Sequence, residues 1–168
     1  MGVGKLIAII GGILGILSIV LFHVLPEFFG FWRLDAGAAL TIWLGGFGFT
    51  GGEFMGIGID PEYAEEIIFL LIAILVVAGG ALAIVGGLVE NKMIAILGGV
   101  VMLAGPIIFI IGAAVEFGPF EDLAAMLPPD SSLLFGSAAG GDWGLYVGTF
   151  LALGAGVLGL IGGIKVED

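Results

Sequence analysis

The chain has 168 residues, a net charge of −11 and no cysteine; 60% of its residues are hydrophobic and only 11% are charged. A water-soluble domain carries about 25% charged residues, so this composition excludes an ordinary soluble domain. The acidity excludes nucleic acid as a partner, and the lack of cysteine excludes disulfides and thiol-based metal or redox sites.

Four apolar runs are long enough to cross a bilayer, whose hydrocarbon core of about 30 Å needs about 20 apolar residues in a helix. We predict a single integral membrane domain over residues 1–168, with helices at about 3–25, 61–89, 93–115 and 143–164. Only Glu90-Asn91-Lys92 joins the second helix to the third, so these two must be antiparallel neighbours. The predicted fold class is membrane all-α: an antiparallel bundle of four transmembrane helices with a small β-hairpin or β-sheet cap in outer loops 26–60 and 116–142.

The basic residues predict the orientation of this bundle. Lys5, Lys92 and Lys165 lie on the side of both termini, whereas Arg33 and most carboxylates lie on the other. The positive-inside rule then predicts a multi-pass protein of the cell membrane with cytoplasmic termini and acidic outer loops.

The first outer loop contains the stretch LTIWLGGFGFTGGEFMGIGID, from Leu40 to Asp60. Large apolar residues alternate with glycine there, which is the period of a β-strand. We predict a hairpin of strands 41–49 and 53–59 with a loop at 50–52, placing Phe47 opposite Met55. An isolated hairpin is marginal in water, so strands from 27–38 and 131–138 or a neighbouring chain should complete it. The predicted outer-loop interface comprises Trp43, Phe47, Phe49, Met55 and Ile57.

Two other interpretations of this stretch stay open. The glycines could simply loosen a surface loop. Alternatively, residues 36–49 could form a pore helix and a re-entrant filter, since GGFGF is similar to the filter of potassium channels, although the filter threonine is missing.

The segment after the hairpin predicts the start of the second helix. Asp60 suits an N-cap, Pro61 suits the first helical position, and carboxylates favour the first turn. Four carboxylates could instead bind a divalent cation: Asp60, Glu62, Glu65 and Glu66. They do not match an EF-hand loop, so we predict capping, with no metal or cofactor.

The second outer loop contains one predicted short helix, at 120–126. Residues 131–141 are small and polar, and they predict a loop or one short strand.

Small residues recur every four positions on two predicted helices, which allows close backbone approach between membrane helices. The predicted packing or oligomer interface comprises Gly79, Ala83, Gly87, Gly144, Gly148, Ala152 and Gly156. Two alternatives stay open: these residues pack within the chain, or at least one set faces another subunit.

The predicted spans carry no Asp, Glu, Arg or Lys at mid-depth, where pumps and proton-coupled transporters place ionisable groups. The sequence also contains no nucleophile–base pair, phosphate loop or G-x-S-x-G motif. We therefore expect no enzymatic activity.

The order of the predicted elements resembles that of claudin-like tetraspan proteins: four helices, a long first outer loop with strands and a shorter second loop. The claudin signature in the first loop is a tryptophan with G-L-W and two cysteines. The first loop here contains Trp32 and then Ile42-Trp43-Leu44, with no G-L-W and no cysteine. The resemblance lies in topology, and it implies a structural or assembly role in a membrane.

We therefore expect a structural membrane protein whose partners are the bilayer and either further copies of itself or other membrane subunits. The alternative is a channel or facilitator for a small solute or cation, with the acidic outer loops as its vestibule.

Overall fold

The structure is a computed structural model and describes residues 2–37, 40–46, 49–55, 57–63, 67–138 and 140–166. Its helices are α1 (Val3–Val20), a 3-10 turn (Leu21–His23), α2 (Pro26–Phe29), α3 (Ile67–Leu88), α4 (Lys92–Val115), α5 (Pro119–Ala125) and α6 (Val147–Ile164). Its strands are β1 (Trp32–Asp35), β2 (Leu40–Leu44), β3 (Phe49–Phe54), β4 (Ile57–Tyr63), β5 (Phe135–Ala138) and β6 (Gly141–Leu145).

Within these ranges, the four long helices α1, α3, α4 and α6 are each long and apolar enough to cross a membrane. They pack as a closed ring in which α1 contacts α3, α3 contacts α4, α4 contacts α6 and α6 contacts α1. The chain ends and the turn after α3 lie at one end of the ring, because Lys5 contacts Glu90 and Gly4 lies against the backbone of Lys165.

Glycine brings the helix backbones into direct contact. A Cβ atom added at Gly12 would overlap the carbonyl oxygen of Gly80, and one at Gly99 would overlap the backbone of Leu160. A Cβ at Gly162 would overlap the backbone of Ala8. Each of these contacts joins a different pair of helices, and Gly79 of α3 against the backbone of Met102 joins the fourth pair, so the whole ring depends on residues without a side chain.

At the other end of the ring, the described strands form one six-stranded antiparallel sheet in the order β4-β3-β2-β1-β6-β5. Hydrogen bonds tie its central strands to the helix ends. Phe31 N donates to Leu44 O at 2.7 Å, Tyr146 N donates to Phe31 O at 2.9 Å, and Gly148 N donates to Gly30 O at 2.8 Å. The sheet is therefore fixed where the chain leaves α2 and enters α6.

An aromatic cluster fills the junction between the helices and the sheet. The ring of Phe109 lies 5.3 Å from that of Phe31 and 5.2 Å from that of Phe120, both edge to face, and Phe69 packs beside them. Such pairs add about 0.5–1.5 kcal/mol each beyond their buried area. Phe120 belongs to α5, so this short helix closes the cluster from the second loop.

The predicted architecture of four apolar helices with a strand-containing cap is confirmed in outline, and strands do come from 27–38 and 131–138 as expected. The hairpin prediction is wrong in its turn. Thr50, Gly51 and Gly52 lie inside β3, and Gly51 pairs with Trp43 while Gly52 pairs with Ile42. The pore-helix alternative for 36–49 is also wrong, because residues 40–44 form the strand β2.

Two predicted helix starts are wrong for a shared reason, which is that residues assigned to the first turns of these helices belong to paired strands. Residues 61–63 belong to β4, so Asp60 and Pro61 do not cap α3, and Pro61 is tolerated because β4 is an edge strand. Residues 143–145 belong to β6, and α6 begins at Val147. The first helix, predicted to reach residue 25, ends at Val20 and is followed by a 3-10 turn. The third helix and the short helix of the second loop lie within a residue or so of their predicted bounds.

We predict that Trp32→Phe costs more stability than the matched change Trp43→Phe. Trp32 is buried and its Nε1 donates to Leu133 O at 2.8 Å, so the change leaves a buried carbonyl without its donor, at a cost of ~1–3 kcal/mol. Trp43 is also buried, but its Nε1 has no hydrogen-bond partner among the described residues. Thermal unfolding in one mild detergent compares the two, and equal losses would contradict this bridge between the outer loops.

Candidate functional site

The small residues predicted on the fourth helix face the interior of this chain. The side of Gly148 lies against the backbone of Phe29 and Gly30, Ala152 is fully buried, and Gly156 lies against Leu103 of α4. This row therefore holds α6 against α4 and against the segment that leads into β1.

The corresponding row on α3 is occupied in the same way. A Cβ at Gly79 would overlap the backbone of Met102, and Ala83 is fully buried against Gly98. Gly87 faces α1, where Lys5, Ala8 and Ile9 lie beside it. The structure thus places these residues in contacts within one chain.

Gly144 does not belong to this row, because it lies in β6 rather than in a helix. Its φ of +152° is in the region that favours glycine, and it pairs with both Arg33 and Phe135. A side chain there would meet the carbonyl oxygen of Leu134 at 2.6 Å. Its spacing of four residues from Gly148 carries no helical meaning.

The predicted outer-loop residues divide into buried and exposed ones. Trp43 is buried on the sheet, whereas Met55 and Ile57 are 70% and 71% exposed at the turn from β3 to β4. Phe47 and the side chain of Phe49 lie outside the described residues. The structure therefore presents a small apolar tip, which we call the β3–β4 tip and define by Met55 and Ile57.

The side chains of the four candidate cation ligands lie outside what the structure describes. Asp60 and Glu62 lie in β4, and their side chains, together with Glu65 and Glu66, lie outside the described part. Among the residues that were described, no group of three or more His, Asp or Glu side chains could hold a metal ion.

Sequence reasoning missed a polar cluster on the sheet around Arg33. The Arg33 guanidinium donates to the Tyr146 hydroxyl at 3.0 Å, pairs with Asp35, and lies 5.3 Å from the centre of the Tyr146 ring. It borders a cavity of about 290 Å³ together with Phe135 and Asp142. Arg33 and Tyr146 are 113 positions apart. Only the presence of an arginine among the acidic outer loops could have drawn attention to this cluster.

A second cavity, of about 790 Å³, lies at the end of the ring that holds the termini. Lys5, Lys92 and Lys165 line it together with Glu90. Lys5 Nζ donates to Glu90 Oε1 at 2.9 Å, and this hydrogen bond with its ammonium charge lowers the pKa of the Glu90 carboxyl. The sequence predicted that these lysines share one side, and the structure adds that they surround one open space.

No family model matches the chain, and a search of curated proteins finds no significant match.

We predict that Gly148→Leu destabilises the protein, whereas Gly154→Leu on the same helix does not. A leucine at 148 must push back the carbonyls of Phe29 and Gly30, and overpacking typically costs ~1–3 kcal/mol. Gly154 has open space where its Cβ would lie. Thermal unfolding in detergent measures the difference, and an unchanged melting temperature for Gly148→Leu would contradict the packing.

We also predict that Lys5→Met raises the pKa of Glu90 to the ordinary carboxylate range. The Lys5 contact lowers the pKa of Glu90 in the folded protein. The stability that this contact contributes is therefore fully present at pH above the ordinary carboxyl pKa, and it is lost as pH falls through the lowered pKa. An NMR titration of the Glu90 carboxyl carbon measures the shift. Lys92→Met is the control, since Lys92 is not a cause of the lowering; an equal response to both changes would contradict the assignment.

Proposed function

We propose that the chain is a multi-pass integral membrane protein. The supporting observation is the outer surface of the four-helix ring, which is apolar along its length. On α3 alone, Ile67, Leu70, Leu71 and Ile74 are each at least 44% exposed. An apolar surface that surrounds a whole helical ring is far larger than a soluble monomer tolerates, and lipid chains would cover it.

The proposed orientation places the termini in the cytoplasm and the sheet outside. Lys5, Lys92 and Lys165 lie at the end of the ring with the termini, and Arg33 lies on the sheet at the other end. This asymmetry supports the orientation because cytoplasmic loops carry an excess of lysine and arginine.

Within the membrane we propose a structural role, in which the protein self-associates or serves as an accessory subunit of a larger assembly. The observation that carries this proposal is the β3–β4 tip. Met55 and Ile57 are both more than two-thirds exposed at one turn of the sheet. The small-residue rows are filled inside the chain, so we assign association to the sheet and not to the helices.

The arrangement also supports the proposed similarity to claudin-like tetraspan proteins. β1 to β4 lie between the first two long helices, and β5 and β6 lie between the last two. Both sets join one sheet at the same end of the bundle. We accordingly propose a claudin-like arrangement with no enzymatic activity.

We predict that Met55→Asp with Ile57→Asp shifts the protein toward smaller assemblies in mild detergent, because charges would disrupt an apolar contact. Met126→Asp is the matched control, since Met126 is 64% exposed in the second outer loop. Native mass spectrometry measures the distribution of oligomers or complexes. An unchanged distribution would contradict association through the tip, and solute flux in liposomes without assembly would favour the channel alternative.

A further inference from the structure

The cavity at the end with the termini brings together every lysine among the described residues, and each comes from a different element. Lys5 lies in the first turns of α1, Lys92 begins α4, and Lys165 follows α6. These lysines, at positions 5, 92 and 165, are far apart in a chain whose net charge is −11. Their positive charges nevertheless converge on one cavity.

Among the described residues, carboxylates compensate the lysine charge at this cavity only in part. Lys5 is paired with Glu90, whereas Lys92 and Lys165 have no carboxylate within ion-pair distance in the part of the chain that the structure describes. Ammonium groups that surround one space repel each other, and an anion between them would relieve that repulsion. Lysine binds phosphate as a compact point charge with several donors.

The cavity also has an apolar side. Val3 and Ile164 line it, and they are 69% and 54% exposed on the outer surface of the ring. A ligand with a charged head and an apolar body fits this arrangement, because the head would meet the lysines while the body follows the helix surface. Basic pockets between helices at the cytoplasmic surface are a general form of anionic lipid site.

We propose that this cavity binds a phosphate-bearing anion, and that the phosphate belongs to the headgroup of an anionic lipid. Lys92 and Lys165 contact the phosphate, while the Lys5–Glu90 pair holds the rim in place. The assignment of the phosphate to a lipid headgroup rests on the membrane placement proposed above. The assignment of a phosphate to the cavity does not.

The test measures lipid binding to the full chain in mild detergent by native mass spectrometry. The probes are phosphatidylglycerol, which is anionic, phosphatidylcholine with the same acyl chains, which is neutral overall, and inorganic phosphate. We expect phosphatidylglycerol to bind more tightly than phosphatidylcholine. Lys92→Gln and Lys165→Gln should each weaken phosphatidylglycerol binding about fivefold, and the double variant about 25-fold.

Two controls separate a local site from the effect of overall charge. Ser137→Asp on the exposed strand β5 changes the net charge by the same amount at the opposite end, and it should leave binding unchanged. Glu167→Gln with Asp168→Asn removes the two carboxylates that follow in the sequence, and binding should be at least as tight.

The outcomes test separately whether the cavity binds phosphate and whether that phosphate belongs to a lipid. Equal binding of the two lipids together with no lysine-dependent binding of inorganic phosphate, or equal weakening by Ser137→Asp and Lys92→Gln, would overturn the proposal. Lysine-dependent binding of inorganic phosphate without lipid preference would keep the phosphate site and make its source a soluble anion. If the protein inserts into liposomes but shows no lysine-dependent binding, only this inference fails; if it does not insert, the membrane proposal fails and the inorganic phosphate arm still tests the cavity.

Discussion

Direct contact between helix backbones is the constraint on which the rest of this structure depends. α1 meets α3 at Gly12 and Gly80, and α4 meets α6 at Gly99, with no side chain between the backbones. In a lipid environment apolar side chains gain nothing from leaving the solvent, so close van der Waals packing must hold helices together. Glycine supplies that packing along the whole ring, which gives most of the glycines of the four long helices a structural role.

This close packing also positions the sheet. Because Gly148 lies against the carbonyls of Phe29 and Gly30, the start of α6 is held beside the segment that enters β1. Thr149 adds a buried hydrogen bond from its hydroxyl to Phe31 O at 2.8 Å. β1 and β6 therefore leave the bundle side by side as neighbouring strands, and β2, β3 and β4 add beyond β1 while β5 adds beyond β6.

The sequence carried enough information for the helices because their signal is local. An uninterrupted apolar run predicts a long helix wherever its neighbours lie, and the bounds of α4 follow from such a run. Strand pairing is not local. Thr50-Gly51-Gly52 has the composition of a turn, yet Gly51 lies opposite Trp43, whose indole ring comes within 3.8 Å of the position a Cβ would take. That glycine pairs with a residue of the neighbouring strand, and no pattern within the stretch itself could reveal it.

The same distinction explains which parts of the candidate sites could be predicted. Small residues at every fourth position indicate that a helix face packs closely. This pattern is the same whether the packing partner lies in the same chain or outside it. The structure fills these faces from within, so the surfaces that we propose for other molecules are ones that helix periodicity does not describe: the exposed turn between β3 and β4, and the lysines at the opposite end. Both surfaces combine residues or elements whose proximity depends on the completed fold. A small-residue pattern in a chain of this kind is therefore evidence about its own core first, and its contacts with partners are better sought where apolar or charged side chains remain uncovered after the bundle has closed.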